Sequence, residues 1–484
     1  MAEDSKRYKK LAGNTAIIGI GQLGSKVLVY LLVRLYTTVM SGAEYSIASN
    51  ITETATLLLP LISLSIGEAV FRFGMDKDIS KKTVFTGGFA AFLMGSLLFA
   101  AVIPILCSIP YMQGREWLVV VYVIASTIHT ICSQFLRAQG KFKLYAVQGL
   151  VNTALTIACN VIFLIPLKMS FVGYVLSVAV ADILSSIFMI FMGRLWNYFD
   201  LRAIRKSVLW DMLKYSIPMI PASIFWWVTN VSDRYMVTYY LGDDVNGLYS
   251  ASYKIPTLLM ILSQIFINAW RHSAVDEKDS SDTAGFYQKV FGAFSSIVFI
   301  LGSGIIAFCQ VITIMMFAPG FHDAWIYIPI LTLSMIFYDL VSFLGSLYVV
   351  EKKSMLSMLT AMAGAALNVA LNFLLIPTKL GAIGAAIATA ASYLFCFALR
   401  VWSAKKIKPF KMHMGRLVLN TLLLSAQVVV IMLAAPGWIW SNLALLAMEA
   451  LLLLAVMLIN CKPLLDILKL LLGDRLSARK QKKS

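Results

Sequence analysis

The sequence predicts an all-α polytopic membrane protein with about fourteen transmembrane helices. Hydrophobic residues make up 60% of the 484 positions, and charged residues only 13%. A soluble domain carries about 25% charged residues. The apolar residues also fall into runs of roughly 20, the length that an α-helix needs to cross the hydrocarbon core of a bilayer. Composition and run length together exclude a soluble globular domain.

Each span is predicted from a run of apolar residues between polar or charged segments. The first run follows the basic start of the chain, and the seventh follows a basic segment that separates two groups of six runs. The last two runs follow the second group. The predicted helices span residues 14–36, 45–70, 85–108, 117–138, 144–166, 171–194, 216–240, 247–270, 288–310, 325–349, 356–376, 381–402, 415–435 and 438–460.

The distribution of positive charge predicts the orientation of these helices. With a cytoplasmic N-terminus, 34 of the 41 Lys and Arg residues lie in inner segments, whereas the outer loops hold only Arg115, Lys168 and Lys379. Basic loops stay on the cytoplasmic side of a membrane. The net charge of +17 is therefore spread over inner loops and does not indicate nucleic-acid binding. We expect a multi-pass protein of a bacterial cytoplasmic membrane, with both termini in the cytoplasm.

The two groups of six helices repeat one another. Arg34 and Arg72 lie 38 positions apart around a short outer turn, and Arg234 and Arg271 lie 37 positions apart around another. Both groups begin on the cytoplasmic side, so the repeat is parallel, as in transporters that rock two halves around a central substrate. The predicted segments are an N-terminal lobe at 1–194, a connector at 195–215, a C-terminal lobe at 216–403, helices 13 and 14 at 404–460, and a basic cytoplasmic tail at 461–484.

Helices 7 and 8, joined by a short polar turn at 241–246, carry charges at membrane depth. These are Asp233, Arg234 and Lys254. A charge near the bilayer centre costs about 2.5–3.5 kcal/mol, so it normally faces a cavity or a partner. One interpretation is structural, in which Asp233 and Arg234 neutralise each other in part and Lys254 reaches toward the interface. The alternative is a hydrated path lined by cations.

Helical spacing favours the hydrated path. Polar residues recur at intervals of three and four on one side of helices 1, 2, 7 and 8, and helix 10 adds Asp339. Such faces imply a cavity or polar helix packing, and the embedded cations favour the cavity. The other members are Lys26 and Arg34 on helix 1, Asn50 and Glu53 on helix 2, Asn230 on helix 7, and Gln264 on helix 8.

Several motifs carry no chemistry in this context. Residues 19–24 match GxGxxG, but they lie inside the first span, with no preceding strand to form a dinucleotide site. No GxxxxGK[ST] motif occurs, so ATP is not the direct energy source. The six cysteines are scattered, without the spacing of a metal site or a disulfide framework. The sequence therefore predicts no cofactor, no metal site and no catalytic residue.

Short motifs around helices 7 and 8 resemble those of a known family. Asp233-Arg234-Tyr235, Leu241-Gly242, Gly247-Leu248-Tyr249-Ser250 and Tyr253-Lys254-Ile255-Pro256 occur in this order, preceded by Arg137-Ala-Gln-Gly-Lys141. They are similar to the signature of bacterial polysaccharide-biosynthesis flippases, within the multidrug/oligosaccharidyl-lipid/polysaccharide exporter superfamily. The resemblance implies two six-helix lobes plus two extra helices. It also implies translocation of a polyprenyl-diphosphate-linked oligosaccharide for O-antigen, capsule or exopolysaccharide synthesis.

The expected function is that of a flippase, not an enzyme. Lys and Arg in a confined cavity suit a lipid diphosphate, so Arg34, Arg234, Lys254 and the deeper Lys26 are the predicted substrate-binding residues. Candidates for cavity lining or ion coupling are Glu53, Asn50, Asp233, Asp339, Gln264 and Asn230. Expected partners are the lipid-linked oligosaccharide, the bilayer and polysaccharide assembly proteins. The alternatives are a cation-coupled multidrug antiporter and, less in keeping with the short outer loops, a membrane polymerase or ligase.

Overall fold

A computed structural model describes residues 32–100, 103–108, 113–276, 283–351, 353–435 and 437–481. This part of the chain is helical throughout, with turns and no strand, which confirms the predicted all-α class. Its eighteen α-helices are α1 Gly42–Ile62, α2 Ile66–Gly74, α3 Lys81–Ala100, α4 Ile103–Cys107, α5 Glu116–Ala138, α6 Phe142–Leu164, α7 Ser170–Gly193, α8 Lys206–Ser216, α9 Ile220–Leu241, α10 Asp243–Ser252, α11 Lys254–Asp276, α12 Thr283–Ala307, α13 Cys309–Met316, α14 Ile328–Val350, α15 Ser354–Leu375, α16 Gly381–Ile407, α17 Met414–Leu433 and α18 Leu443–Gln481.

Most predicted spans correspond to helices of membrane-crossing length. Among the described residues, ten helices are long and apolar enough to cross a bilayer, or eleven if the bent pair α1 and α2 forms one span. The predicted third and seventh spans are also helical, as α3 of 20 residues and α9 of 22 residues. Residues 32–39 are helical, whereas the rest of the predicted first span lies outside the described residues.

The bend between α1 and α2 has a local cause. Pro60 lies in the last turn of α1 and cannot donate a backbone hydrogen bond. Leu64 and Ser65 then adopt left-handed conformations with φ near +50°, which ends the helix before α2 begins. The two helices consequently meet at an angle of 51°.

Two boundaries differ from the sequence prediction. The polar turn expected at 241–246 is a single residue, Gly242, because Asp243 already begins α10. The predicted fourteenth span was expected to end at residue 460, but α18 continues through Pro463 to Gln481, so most of the expected tail is helical. The connector forms two short 3₁₀ turns, Leu195–Tyr198 and Leu201–Ala203, followed by α8.

The described residues fall into two compact units. The N-terminal unit comprises the described part of Ser25–Thr238, together with Gly242–Gly247. The C-terminal unit comprises Tyr239–Leu241 and the described part of Leu248–Ser484. The predicted division into lobes of six helices stays a prediction.

Each unit has its own packed interior. In the N-terminal unit, Val70, Phe135 and Met189 belong to one buried apolar cluster. In the C-terminal unit, the buried Trp270 stacks on Phe343, and its indole N–H donates to Ser346 Oγ at 2.9 Å. Well-packed interiors of this kind hold the polar side chains described next in fixed positions.

Candidate anion-binding site

The candidate site lies within the N-terminal unit, where α1 packs along α9. Helix α1 begins with a capping box in which the Ser41 hydroxyl and the Glu44 carboxylate bond each other's backbone N–H groups. This start fixes the register of the helix. Asn50, Glu53 and Thr54 follow at spacings of three and four, so they share one side of α1, and each contacts α9.

An ion pair joins the two helices at the centre of this interface. Nη1 of Arg234 on α9 lies 2.5 Å from Oε1 of Glu53 on α1. The Arg234 side chain is 12% exposed and that of Glu53 is 24% exposed. Both charges are therefore largely shielded, yet neither is sealed from a ligand. Trp227, two turns before Arg234, donates its indole N–H to the Glu53 carbonyl at 2.8 Å and holds α9 against α1.

A hydrogen-bonded frame surrounds the ion pair. The amide of Asn50 donates to Thr238 Oγ1 at 3.1 Å, and the Tyr235 hydroxyl donates to the Asn50 carbonyl at 2.9 Å. The same hydroxyl lies 2.8 Å from Thr54 Oγ1. Asn246, in the first turns of α10, donates its side-chain amide to Asn50 Oδ1 at 3.3 Å. Because these bonds fix both helices around Arg234, the guanidinium is held in place before any ligand binds.

The acidic residues after Gly242 lie in the first turn of α10 and also bind α1. Ser46 donates to Asp243 Oδ1 at 2.8 Å, and the backbone N–H of Ala43 donates to Asp244 Oδ1 at 3.0 Å. Carboxylates in the first turn of a helix interact favourably with its dipole. Gly42 and Gly247 approach so closely here that a β-carbon on Gly247 would overlap the Gly42 carbonyl. The two glycines therefore permit the contact.

The ion-pair partner of Arg234 is a residue of another helix. One interpretation of the sequence pairs Asp233 with Arg234 in part, whereas the structure places Glu53 against the guanidinium. The buried Asp233 accepts the backbone N–H of Arg234 at 2.9 Å. Neighbouring residues on a helix do not face each other, whereas residues of two packed helices can.

The other predicted site residues are distributed over both units. Arg34 is exposed on the helical segment 32–39 of the N-terminal unit. Lys254, the half-buried first residue of α11, and the half-buried Gln264 belong to the C-terminal unit. Lys26 and the side chain of Asn230 lie outside the described residues. The anion-binding roles of Arg34, Lys254 and Lys26 stay predictions.

Asp339 is the most deeply enclosed of the predicted ion-coupling residues. It lies on α14 in the C-terminal unit and is fully buried. Ser263 on α11 donates to its Oδ2 at 2.7 Å, and Oδ1 has no hydrogen-bond partner among the described residues. A buried carboxylate with an unfilled oxygen can accept a proton or a cation. Whether Asp339 couples transport to an ion stays a prediction.

Two further embedded acids, whose partners the sequence did not indicate, are held by amides. Asp182 accepts from Asn152 at 2.8 Å and from Ser126 at 2.5 Å. Glu449 accepts from Gln427 at 2.7 Å. Each acid bonds side chains of neighbouring helices, and Oε2 of Glu449 has no hydrogen-bond partner among the described residues.

Sequence reasoning missed three residues of the site: Trp227, Tyr235 and Asn246. Tyr235 directly follows Arg234 in the motif quoted above, and that position was the available signal. Trp227 and Asn246 had no such signal, because their roles depend on which helix packs against α9 and α10.

Comparisons with known proteins support the reading of the fold. A family model for polysaccharide biosynthesis proteins matches residues 11–271. The structure is similar to that of the lipid II flippase MurJ in an inward closed conformation, with a TM-score of 0.68 and 14% identity over 95% of this chain and 100% of that one. It is also similar to a multidrug resistance MATE family transporter of the MOP superfamily. The outward-facing form gives a TM-score of 0.57, with 14% identity over 83% of this chain and 97% of that one. No curated protein matches the chain significantly in sequence.

Proposed function

Since the chain belongs to the family of polysaccharide biosynthesis proteins, whose model covers more than half of it, we propose that it is a flippase for a lipid-linked oligosaccharide. The cargo is a polyprenyl diphosphate that carries a short sugar chain. The protein moves it to the outer leaflet of a bacterial cytoplasmic membrane for surface polysaccharide assembly. The resemblance to the MurJ fold is consistent with this cargo class, although it shows the fold alone.

The observation that supports the proposal most strongly is the position of Arg234. A diphosphate that leaves headgroup water needs a cation that is shielded but still reachable, and Arg234 is 12% exposed at a helix interface. Its planar guanidinium can bind two phosphate oxygens at once. In a weakly screened environment this attraction is several times stronger than in water.

Glu53 makes the binding of the diphosphate to Arg234 reversible, because it competes for the same guanidinium. In the substrate-free protein its carboxylate occupies Arg234 and offsets the cost of the embedded charge. An incoming diphosphate carries more negative charge and replaces Glu53 on the guanidinium. On the outer side, where water hydrates the diphosphate again, Glu53 returns to Arg234 and releases the cargo. We also propose Arg34, Lys254 and Lys26 as substrate-binding residues, with the lipid tail remaining in the bilayer.

A cation-coupled drug antiporter is the competing function, and the MATE-like fold is compatible with it. The site geometry argues against this reading. An organic cation at the α1–α9 interface would need an acid that is not already neutralised, yet the Glu53 carboxylate there is paired with Arg234. The exposed Arg34 adds positive charge to the same unit and would repel such a substrate.

The test replaces Arg234 in cells that lack their own polysaccharide flippase. We expect Arg234→Ala to lower surface polysaccharide by about tenfold or more, because a lost hydrogen bond to a charged group costs about 1.5–3 kcal/mol. The measurement is polysaccharide per amount of protein in the membrane.

A neutral pair provides the matched control. Glu53→Gln with Arg234→Gln leaves no unpaired charge, so we expect the double variant to accumulate like the original protein and still fail to export. Restored export by this double variant would show that Arg234 only balances Glu53. Normal polysaccharide together with loss of drug resistance would favour the antiporter.

A further inference from the structure

A second basic site lies in the C-terminal unit, apart from the residues assigned to transport. It is a cavity of about 510 Å³ between residues 288–292 of α12, the first turn of α17 and the part of α18 around Pro463. Its lining includes Lys289 on α12, Arg416 on α17 and Lys462 on α18, with Asp466 as the acid. The cavity therefore carries a net positive charge, supplied by three different helices.

Arg416 is built into the wall of this cavity. Its guanidinium donates to the Gly292 carbonyl at 3.1 Å and lies 3.3 Å from Ser295 Oγ, which joins α17 to α12. Its Nε is buried and has no hydrogen-bond partner among the described residues. Gln288 lies 3.1 Å from the ring nitrogen Nε2 of His413 and fixes the rim. A positioned arginine with unused donor capacity is suited to an anion.

Lys289 and Lys462 are available for the same ligand. Both are exposed, and neither forms an ion pair within the described part of the chain. Like Arg416, they belong to segments predicted to face the cytoplasm. Basic cavities between transmembrane helices on this side of a membrane accept the phosphates of anionic lipids.

The surroundings favour a lipid over a soluble phosphate. Leu458 and Leu465 on α18 are 66% and 51% exposed, and they lie four residues before and three residues after Lys462. No described protein segment covers these side chains, so in a membrane they would face acyl chains. A molecule with a phosphate headgroup and apolar tails would match the cavity and this adjoining surface together.

We propose that this cavity binds the headgroup of an anionic glycerophospholipid of the inner leaflet, such as phosphatidylglycerol. The phosphodiester lies between Arg416, Lys289 and Lys462, and the acyl chains follow the exposed leucines of α18. This site is additional to the proposed flippase function and does not depend on it.

Native mass spectrometry of the purified protein tests the proposal, with dioleoylphosphatidylglycerol and dioleoylphosphatidylcholine as probes. We expect preferential binding of phosphatidylglycerol. Lys289→Gln with Lys462→Gln should weaken it by about fivefold for each cation removed, since one basic residue near anionic lipid contributes about 1 kcal/mol. Arg416 stays in place because it also joins two helices.

The matched control is Arg202→Gln with Lys206→Gln, which removes two exposed positive charges from the connector. We expect this control to keep the affinity of the original protein. Equal weakening in both double variants, or equal binding of the two lipids, would overturn the proposal. Displacement of phosphatidylglycerol by millimolar inorganic phosphate would assign the cavity to a free anion, and a preference for polyprenyl diphosphate would assign it to the cargo. Either of these two results would also contradict the proposed phospholipid site.

Discussion

Glu53 and Arg234 depend on each other, because each is a largely shielded charge. Removing one partner of such a pair leaves the other charge uncompensated, which costs more than the pair contributes when intact. The surrounding bonds among Asn50, Thr238 and Tyr235 join α1 to α9 and so hold together the two helices that carry these side chains. A ligand that takes the place of Glu53 therefore meets a guanidinium that is already oriented.

Substitution of Glu53 tests whether this carboxylate competes with the diphosphate for Arg234 or holds Arg234 in the position that the diphosphate requires. With Glu53→Gln, the diphosphate no longer competes with a carboxylate for Arg234, so we expect tighter binding of the lipid-linked oligosaccharide and slower release. The measurements are the affinity of the purified protein for a polyprenyl diphosphate and the rate of export in cells. Weaker binding, of the size that Arg234→Ala causes, would show that Glu53 holds the arginine in a required position.

Sequence patterns identified the charged residues but not their pairing. Asn50, Glu53 and Arg234 were all predicted as site residues from helical spacing, and the structure brings them to one interface. Spacing shows which side chains share a face of one helix. It does not show which other helix lies opposite, so the sequence offers the adjacent Asp233 as one partner for Arg234 and does not indicate the pairing with Glu53.

Helices α1 and α10 meet at two glycines, and this close contact positions one end of the site. With no side chain at Gly42 or Gly247, Asp244 can accept from the Ala43 backbone and Ser46 can reach Asp243. Small residues have the same use at many helix crossings in membranes.

Gly247→Ala is expected to disturb this crossing. Its β-carbon would overlap the Gly42 carbonyl, and overpacking of this kind costs about 1–3 kcal/mol. We expect a lower thermal unfolding temperature and reduced export. The control is Gly149→Ala on α6, where an added β-carbon meets nothing within 4 Å. Equal unfolding temperatures for the two variants would contradict the assigned contact.

Helix positions were easier to predict than the connections between helices. Apolar runs indicated α5, α6 and α7 to within a few residues. The polar run after Leu241 was interpreted as a turn, since Asp, Asn and Gly favour turns. In the structure Gly242 alone makes the turn, with φ of +88°, and the acids form the first turn of α10.

At the scale of the whole molecule, composition and charge distribution were sufficient to predict the class. A chain with 60% hydrophobic residues and few charges could only be a membrane protein, and the structure confirms an all-α polytopic fold. The polar residues of α9, including Asp233, Arg234 and Thr238, dilute its apolar character. For that reason α9, which carries Arg234, is a weaker span by composition than the long helices that meet the length and hydropathy of a membrane span.

The fold itself does not identify the cargo, because lipid flippases and multidrug transporters share it. Composition also fails to do so, since both kinds of protein are apolar and polytopic. The distinction depends on a few embedded charges, and at the α1–α9 interface the acid, Glu53, is already paired with the cation, Arg234.

Transport by the purified protein in lipid vesicles is the most direct test of the proposed function. Vesicles would contain a polyprenyl-diphosphate-linked oligosaccharide in the inner leaflet, and the arrival of its sugar outside would be followed with a lectin. We expect vesicles with the original protein to expose the sugar many times faster than protein-free vesicles, and vesicles with Arg234→Ala to resemble the protein-free ones. If the original protein exposed the sugar no faster than protein-free vesicles, the proposed function would be contradicted. If Arg234→Ala exposed the sugar as fast as the original protein, the role of Arg234 would be contradicted.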